Sequence, residues 1–394
     1  MPPAGKENGD MRGITKKLLC AVFAVICAAL AAAGAVDMAS GGNISVIEGE
    51  APYATAFTSY DYGVKDGEDG KKTATVRFLG IPVKNVSVSV FKKTEVLLGG
   101  QSFGIKLKTK GIIISGVYAV KTADGEKYPA KEAGLQSEDI ICGVNGESVV
   151  STGQFSQIIS KGGSMTVRYR RGGMEYETTL CPVKDENGEY KAGLWLRDSA
   201  AGIGTVTYVI PGDNSFGGLG HGICESETGQ LIPFESGEVF EAKITGVKRG
   251  RNGEPGELRG YFEKEPCGEL YKNTEEGVFG RLTEAQNGKS VQIALKDKVR
   301  EGDVKIICTV DENGAREYDA KLIRILSYES DTKNFVIKVT DNRLIAKTGG
   351  IVQGMSGSPI LQNGKLIGAV THVLVNDATR GYGIFIENML ENDR

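Results

Sequence analysis

Gly349-Gly350-Ile351-Val352-Gln353-Gly354-Met355-Ser356-Gly357-Ser358-Pro359-Ile360 is the stretch on which the reading of this chain turns. It sets a serine between glycines and closes on a proline. A serine hydroxyl is a poor nucleophile until a base takes its proton, and the oxyanion formed by its attack needs backbone N–H donors beside it. Gly354, two residues before Ser356, can turn its N–H inward beside that of Ser356 because it has no side chain to clash, and Gly357 and Pro359 fix the loop's path. The base has two candidates, since the chain holds only His221 and His372. His221 stands in Gly217-Gly218-Leu219-Gly220-His221-Gly222-Ile223, 135 residues before Ser356. His372 ends Lys365-Leu366-Ile367-Gly368-Ala369-Val370-Thr371-His372, a strand-like run just beyond the loop.

From Tyr190 to the end the chain is a succession of strand-like runs separated by Gly, Asn and Asp turns, the pattern of an all-β sandwich or barrel. Glycine, at 55 of 394 residues, is about twice as frequent as average and favours turns and strands over helices. The segment around Ser356 resembles the nucleophile loop of chymotrypsin-like serine peptidases, G-x-S-G-[GS]-P, and histidine before serine is their chain order. The resemblance implies a double β-barrel over residues 188–394. It makes Ser356 the nucleophile, His221 the base, the backbone N–H groups of Gly354 and Ser356 the oxyanion hole, and His372 a residue packed in the cleft.

A second pattern precedes this region. Pro129-Ala130-Lys131-Glu132-Ala133-Gly134-Leu135 predicts a short helical turn begun by Pro129 and ended by Gly134. Asp139-Ile140-Ile141 opens a strand, Asn145-Gly146 makes a tight turn, and Thr152–Ile159 forms a helix with Phe155, Ile158 and Ile159 on one face. These spaced motifs resemble a PDZ domain, a small α+β module, here over residues 97–183. A PDZ domain takes an extended peptide as an added strand, and the resemblance places that strand beside the loop of Gly99, Gly100, Gln101, Ser102, Phe103, Gly104 and Ile105.

At the N-terminus, residues 18–36 are 19 consecutive uncharged residues behind a basic flank, long enough to cross a hydrocarbon core of about 30 Å. They are expected to form a membrane anchor or signal segment within residues 1–36, with everything after Val36 exported. Residues 37–72 read as a linker and residues 73–96 as a β-hairpin. Cys142, Cys181 and Cys308 sit in apolar runs and read as buried small hydrophobes, without a disulfide or zinc framework. Cys224 lies three residues from His221, a spacing that along a strand points the two side chains to opposite faces. The 47 basic and 50 acidic residues, net charge −3 and interspersed in sign, give no field to gather phosphates, so nucleic acid is not an expected partner. Two histidines with no HExxH pairing offer no metal site, and no cofactor is expected.

The succession of membrane segment, PDZ domain and peptidase resembles the SpoIVB peptidase family of spore-forming bacteria. Its most specific stretches here are residues 193–205, Leu219-Gly220-His221, residues 348–360, and residues 382–390. That resemblance implies a serine endopeptidase exported from the forespore into the space between two membranes. There it would cleave itself and the exported part of a membrane-bound regulator, releasing an intramembrane protease that processes a mother-cell sigma factor. Its PDZ ligand is then the substrate, a partner, or its own N-terminal segment. By the same resemblance the acid of the triad is Asp341, 15 residues before Ser356, whereas chymotrypsin-like enzymes keep the acid closer to the histidine. Asp198, Asp311 and Asp319 are the alternatives.

Overall fold

The computed structural model describes residues 43–47, 58–66, 72–78, 80–91, 95–224, 229–284, 287–326 and 332–393. The expected membrane segment, residues 18–36, lies outside them. No helix among the described residues is long and apolar enough to cross a membrane.

Two compact units divide the chain. The first holds a four-stranded sheet of β1 (Asn43–Ile47), β2 (Thr58–Asp66), β3 (Lys72–Phe78) and β4 (Ile81–Phe91), in the order β1-β4-β3-β2. Ala74, Val76, Val86 and Val88, at the strand period of two, bury one face of it together with Val46. The expected linker therefore contributes two strands, one of them paired in parallel with β4, and the expected hairpin is the middle of a larger sheet.

The second unit carries the remaining strands. It opens with β5 (Glu95–Leu98) and the 16-residue β6 (Ser102–Val117), followed by the small hairpin β7 (Val120–Thr122) and β8 (Gly125–Lys127). Helix α1 (Pro129–Glu132) starts on its proline, and Gly134 leaves it at φ 76°. Strands β9 (Ile140–Val144) and β10 (Glu147–Ser148) turn on Asn145 and Gly146, at φ 52° and 82°, the left-handed pair that a type I′ turn requires. Helix α2 (Thr152–Ile159), capped by the Ser151 hydroxyl, buries Phe155 and Ile159. β11 (Met165–Arg171) and β12 (Met174–Leu180) complete the module, and the short pair β13 (Val183–Lys184) and β14 (Tyr190–Lys191) leads out of it. Its core gathers Ile112, Ile114, Leu135, Ile141, Phe155 and Val167, among others.

This PDZ-like module is not a bead ahead of the peptidase region. The 16-residue β15 (Leu194–Val209) runs antiparallel to β6 along its whole length, from Leu194 opposite Val117 to Thr205 opposite Ser102. The ends of β6 and β15 at Val117 and Leu194 belong to the module, and their other ends belong to a second ring of strands. That ring adds β16 (Ser215–Gly218), β17 (Phe234–Lys248), β18 (Glu257–Thr274) and β19 (Gly277–Leu282). Its pairings run β6-β17-β18-β19-β16-β15 and return to β6. Phe103, Ile105, Leu107, Val206, Phe216 and Val239 help to fill it. The module is thus carried between two strands of a ring, and the boundary expected at residue 97 falls instead near Gly111. There φ is 109° and a Cβ would stand 2.6 Å from the Ile141 carbonyl oxygen.

After β20 (Ser290–Gln292) come β21 (Gly302–Thr309), β22 (Ala315–Ile325), β23 (Phe335–Val339), helix α3 (Asn342–Thr348), β24 (Pro359–Gln362), β25 (Lys365–Leu374), β26 (Asp377–Phe385) and α4 (Ile386–Asn392). Six of these strands form a closed barrel, β21-β22-β23-β26-β25-β24. Beyond α4, Asp393 accepts hydrogen bonds from Tyr208 (3.0 Å) and Tyr271 (2.5 Å), which ties the end of the barrel region to the ring.

The cysteine reading holds for Cys308, fully buried in β21, whereas Cys142 is half-buried and Cys181 is exposed. Inside the PDZ-like module the fully buried Asp139 receives both arms of the Arg171 guanidinium at 2.6 Å, and its Oδ2 also accepts the Gln136 N–H. Arg171 is about a third exposed, which lessens the cost of breaking the pair. Asp139→Ala is expected to lower stability by about 2 kcal/mol, read as a lower urea midpoint.

Candidate active site

The nucleophile loop runs from α3 to β24 and is held by backbone geometry that only glycine fits. Gly354 has φ 96°, and a Cβ there would press on the Leu258 side chain at 3.0 Å. Gly357 has φ 92°, and a Cβ would lie 2.0 Å from the Thr205 carbonyl oxygen. The Gly357 N–H donates to Val370 O (2.7 Å), and the Ser358 hydroxyl turns back to Met355 O (2.6 Å). From β15, Thr205 N–H donates to Ser356 O (2.9 Å), the Thr205 hydroxyl to Gly354 O (2.9 Å), and the Thr207 hydroxyl to Gly357 O (2.7 Å). Both threonines are fully buried. The loop's carbonyls are thereby engaged on one side. Among the described residues the N–H groups of Gly354 and Ser356 have no intramolecular acceptor, the condition an oxyanion hole requires.

His221 comes to the same cleft from the ring. Leu219 and Gly220, at φ 63° and 66°, turn the chain sharply after β16. Gly222 then donates to Glu275 O, and the Asn273 side chain bridges Ile223 and Ile232. His221, Ser356, Gly354, Thr371 and His372 all line one cleft of about 470 Å³, walled by Ala200–Ile203 of β15 and by Thr371–Val373 of β25. The His221 Nδ1 lies 2.8 Å from the Gly222 carbonyl oxygen. A carbonyl only accepts, so Nδ1 carries the proton and Nε2 is left with its lone pair, the tautomer of a general base. The His372 ring lies against the His221 ring, with centroids 4.6 Å apart and an interplanar angle of 32°. Burial holds His221 below the usual imidazole value, partly offset by the Gly222 carbonyl. His372 is pushed down to about 4 by burial, by His221 and by Lys333. The Ser356 hydroxyl donates to Thr371 O (2.7 Å), so it must leave this acceptor to give its proton to an imidazole.

The structure does not bring Asp341 to this cleft. Asp341 caps helix α3, its Oδ1 accepting from Arg343 N (2.9 Å) and Nε (3.0 Å), and its Oδ2 from Arg343 Nη2 (2.7 Å) and Asp319 N (3.2 Å). With both oxygens taken, the carboxyl is held well below the usual range by Arg343, and it orients the loop's approach rather than an imidazole. The alternatives are engaged elsewhere too: Asp198 with Thr152, Asp311 with Lys347, and Asp319 with Lys305. Cys224, expected to face away from His221, lines the cleft with it, because the segment is irregular rather than a strand.

The expected peptide loop, Gly99 to Ile105, is also displaced from its role. Gly99 and Gly100 donate to Thr207 O (3.1 Å) and Val206 O (2.8 Å), Gly100 O accepts from Thr309, and Ser102–Ile105 are buried in β6. β6 has β15 on one edge and β17 on the other, so it offers no edge to an added strand. Thr205, Thr207, Asn273 and the Gly222 carbonyl were not legible as site residues. The threonines and Asn273 act through hydrogen bonds between segments far apart in sequence, 150 residues for Thr207 and 50 for Asn273, and the Gly222 carbonyl through the ring of its neighbour His221.

A family model described as SpoIVB peptidase S55 matches residues 188–390, just over half of the chain. The chain belongs to that family. The family and the loop around Ser356 together make this region a serine peptidase domain. The serine protease HTRA1A of Danio rerio is 29% identical over 115 residues, 29% of this chain and 22% of its own length. HTRA1 of Xenopus laevis is 28% identical over 117 residues, 30% of this chain and 23% of its own length. The chain thus spans less than a quarter of the curated relatives it matches. Among solved structures, the PDZ domain of an SdrC-like protein from Listeria monocytogenes aligns with 21% of this chain and 90% of its own, at 24% identity and TM-score 0.17. The Rv3671c protease from M. tuberculosis in its active form aligns with 49% of this chain and 73% of its own, at 13% identity and TM-score 0.28.

Two outcomes follow from this geometry. Both imidazoles bind a proton less readily in the folded protein than the ordinary value of about 6.5, so the unfolded state binds more protons below that pH. Stability should fall as pH drops from about 6.5 toward 4, and His372→Gln should flatten that fall in a thermal-denaturation series. Asp341→Asn should lower stability by about 1–2 kcal/mol through the weakened cap. Its turnover per folded molecule should stay within about threefold of the wild type in an active-site-titrated assay, far from the roughly 10⁴-fold loss of a triad acid.

Proposed function

We propose that this chain is an exported serine endopeptidase whose substrates are proteins. Ser356 is the nucleophile, His221 takes its proton, and the N–H groups of Gly354 and Ser356 stabilise the oxyanion. The observation that carries the reading is the pair of unengaged N–H groups in the Ser356 loop, on the same cleft as a neutral imidazole fixed by the Gly222 carbonyl. A backbone carbonyl takes the orienting place that a carboxylate fills in a triad. The ring and the closed barrel, meeting at this cleft, support a chymotrypsin-like double barrel.

Family membership supports a role in sporulation. On that reading the enzyme acts between the two membranes around the forespore, anchored through residues 18–36 or released from them. It cleaves itself and the exported part of a membrane-bound regulator, the signal that activates a mother-cell sigma factor. The PDZ-like module then binds a peptide, its own N-terminal segment being one candidate ligand.

Residues 37–394, as wild type and as Ser356→Ala, test the reading with a fluorophosphonate probe and by following self-cleavage. Labelling and fragmentation are expected in the wild type alone, with equal thermal stability of the two proteins. A folded wild type that is neither labelled nor active would make the domain a non-catalytic scaffold built around its PDZ-like module.

A further inference from the structure

The strand that pins the nucleophile has one unpaired edge. Residues 194–205 of β15 pair with β6 on one side. On the other side β16 pairs only with residues 206–209. At Thr205 this second edge meets the nucleophile, its N–H donating to Ser356 O and its C=O accepting from Leu219 N (3.3 Å). The two-residue strand period puts the N–H and C=O of Ile203 and Ala201 on the same edge, and among the described residues they have no partner there. Ala200, Ala201, Gly202 and Ile203 wall the catalytic cleft, and a Cβ added at Gly202 would meet nothing within 4 Å.

Followed away from Ser356, the same edge enters the PDZ-like module. There it runs beside α2, whose first residue, Thr152, is tied to Asp198 of β15 through its N–H (2.8 Å) and its hydroxyl (3.1 Å). Leu196 on the strand and Ile158 on the helix are half-buried at the margin of one apolar core. A strand edge flanked by a helix is the arrangement in which PDZ domains accept an extended peptide. It lies on β15, not on the β6 segment that the sequence suggested.

We propose that the PDZ groove and the catalytic cleft are one continuous β-docking track. The stretch of substrate polypeptide on one side of the scissile bond adds as a strand to β15, from Ile203 at the nucleophile to Leu196 beside α2. The inference rests on the peptidase reading of Ser356. The eight residues from Ile203 to Leu196 are seven steps of strand, about 23 Å, so the track holds roughly eight substrate residues. Backbone hydrogen bonds supply the attraction along the cleft, and the apolar pair Leu196 and Ile158 selects a side chain at the far end. The occupant is unfolded or extended polypeptide, because a helix cannot offer free N–H and C=O groups to an edge.

The test uses the full chain and a library of proteome-derived peptides, with cleaved bonds mapped by mass spectrometry. For the bond cut most readily, a short peptide with four residues on each side is compared with versions restoring the next eight residues on either side. Restoring one side should raise kcat/KM by about tenfold or more. N-methylation of alternate amides in that extension should remove the gain, whereas methylating the intervening amides should not. In Ile158→Lys the ratio of extended to short peptide should fall toward one, with circular dichroism confirming the fold. A chain that fluorophosphonate labels at Ser356 but that cuts short and extended peptides alike, or cuts none, overturns the track. A folded chain that is not labelled overturns the peptidase reading and the track with it.

Discussion

Three hydrogen bonds from β15 to the Ser356 loop fix the chemistry of this protein. Thr205 gives its N–H and hydroxyl, and Thr207 its hydroxyl, to the carbonyls of Ser356, Gly354 and Gly357. The donor threonines are fully buried, so leaving one of these bonds unmade would strand a desolvated donor. While the loop's acceptors are taken, its donors at Gly354 and Ser356 have no acceptor among the described residues, and both residues line the cleft. The positive φ of Gly354 and Gly357 follows from the same demand, because the Thr205 carbonyl leaves no room for a Cβ at Gly357.

The same strand explains the domain arrangement. β15 and β6 are long enough to belong to the ring at one end and to the PDZ-like module at the other. A module joined by a flexible linker would be free to reorient; one carried on two continuous, mutually hydrogen-bonded strands is held by the ladder itself. One strand, β15, thus reaches from the Asp198–Thr152 contact in the module to the hydrogen bonds that hold the nucleophile loop.

The imidazole environment departs from the usual triad. His221 is oriented by its neighbour's carbonyl and lies against a second ring, so burial and not a carboxylate sets its basicity. Asp341 stabilises the loop indirectly: it caps α3, which ends at Gly349 in the left-handed conformation and delivers the chain into the nucleophile turn. Its closeness in sequence to Ser356 reflects this local duty.

The local chemistry was written in the sequence. Pro129, Gly134 and Asn145-Gly146 specify their turns through backbone restrictions that hold in any context, and Phe155, Ile158 and Ile159 mark a helix face by their spacing. The glycines around Ser356, and the presence of only two histidines, pointed to Ser356 and His221 for the same reason, since reactivity depends on residue type and backbone freedom, and the two residues line one cleft. Strand partners are another matter. Gly99 to Ile105 reads equally well as a peptide-binding loop or as a barrel strand, because a strand does not record which edges are occupied. Only the folded chain settles that β15 and β17 flank β6, and that Asp341 meets Arg343 instead of His221. Only there, too, does Cys224 share the cleft with His221. Apart from the local Asp341–Arg343 pair at the helix cap, these are contacts between segments far apart in sequence or set by irregular backbone, and their energies come from burial and pairing that no local pattern encodes.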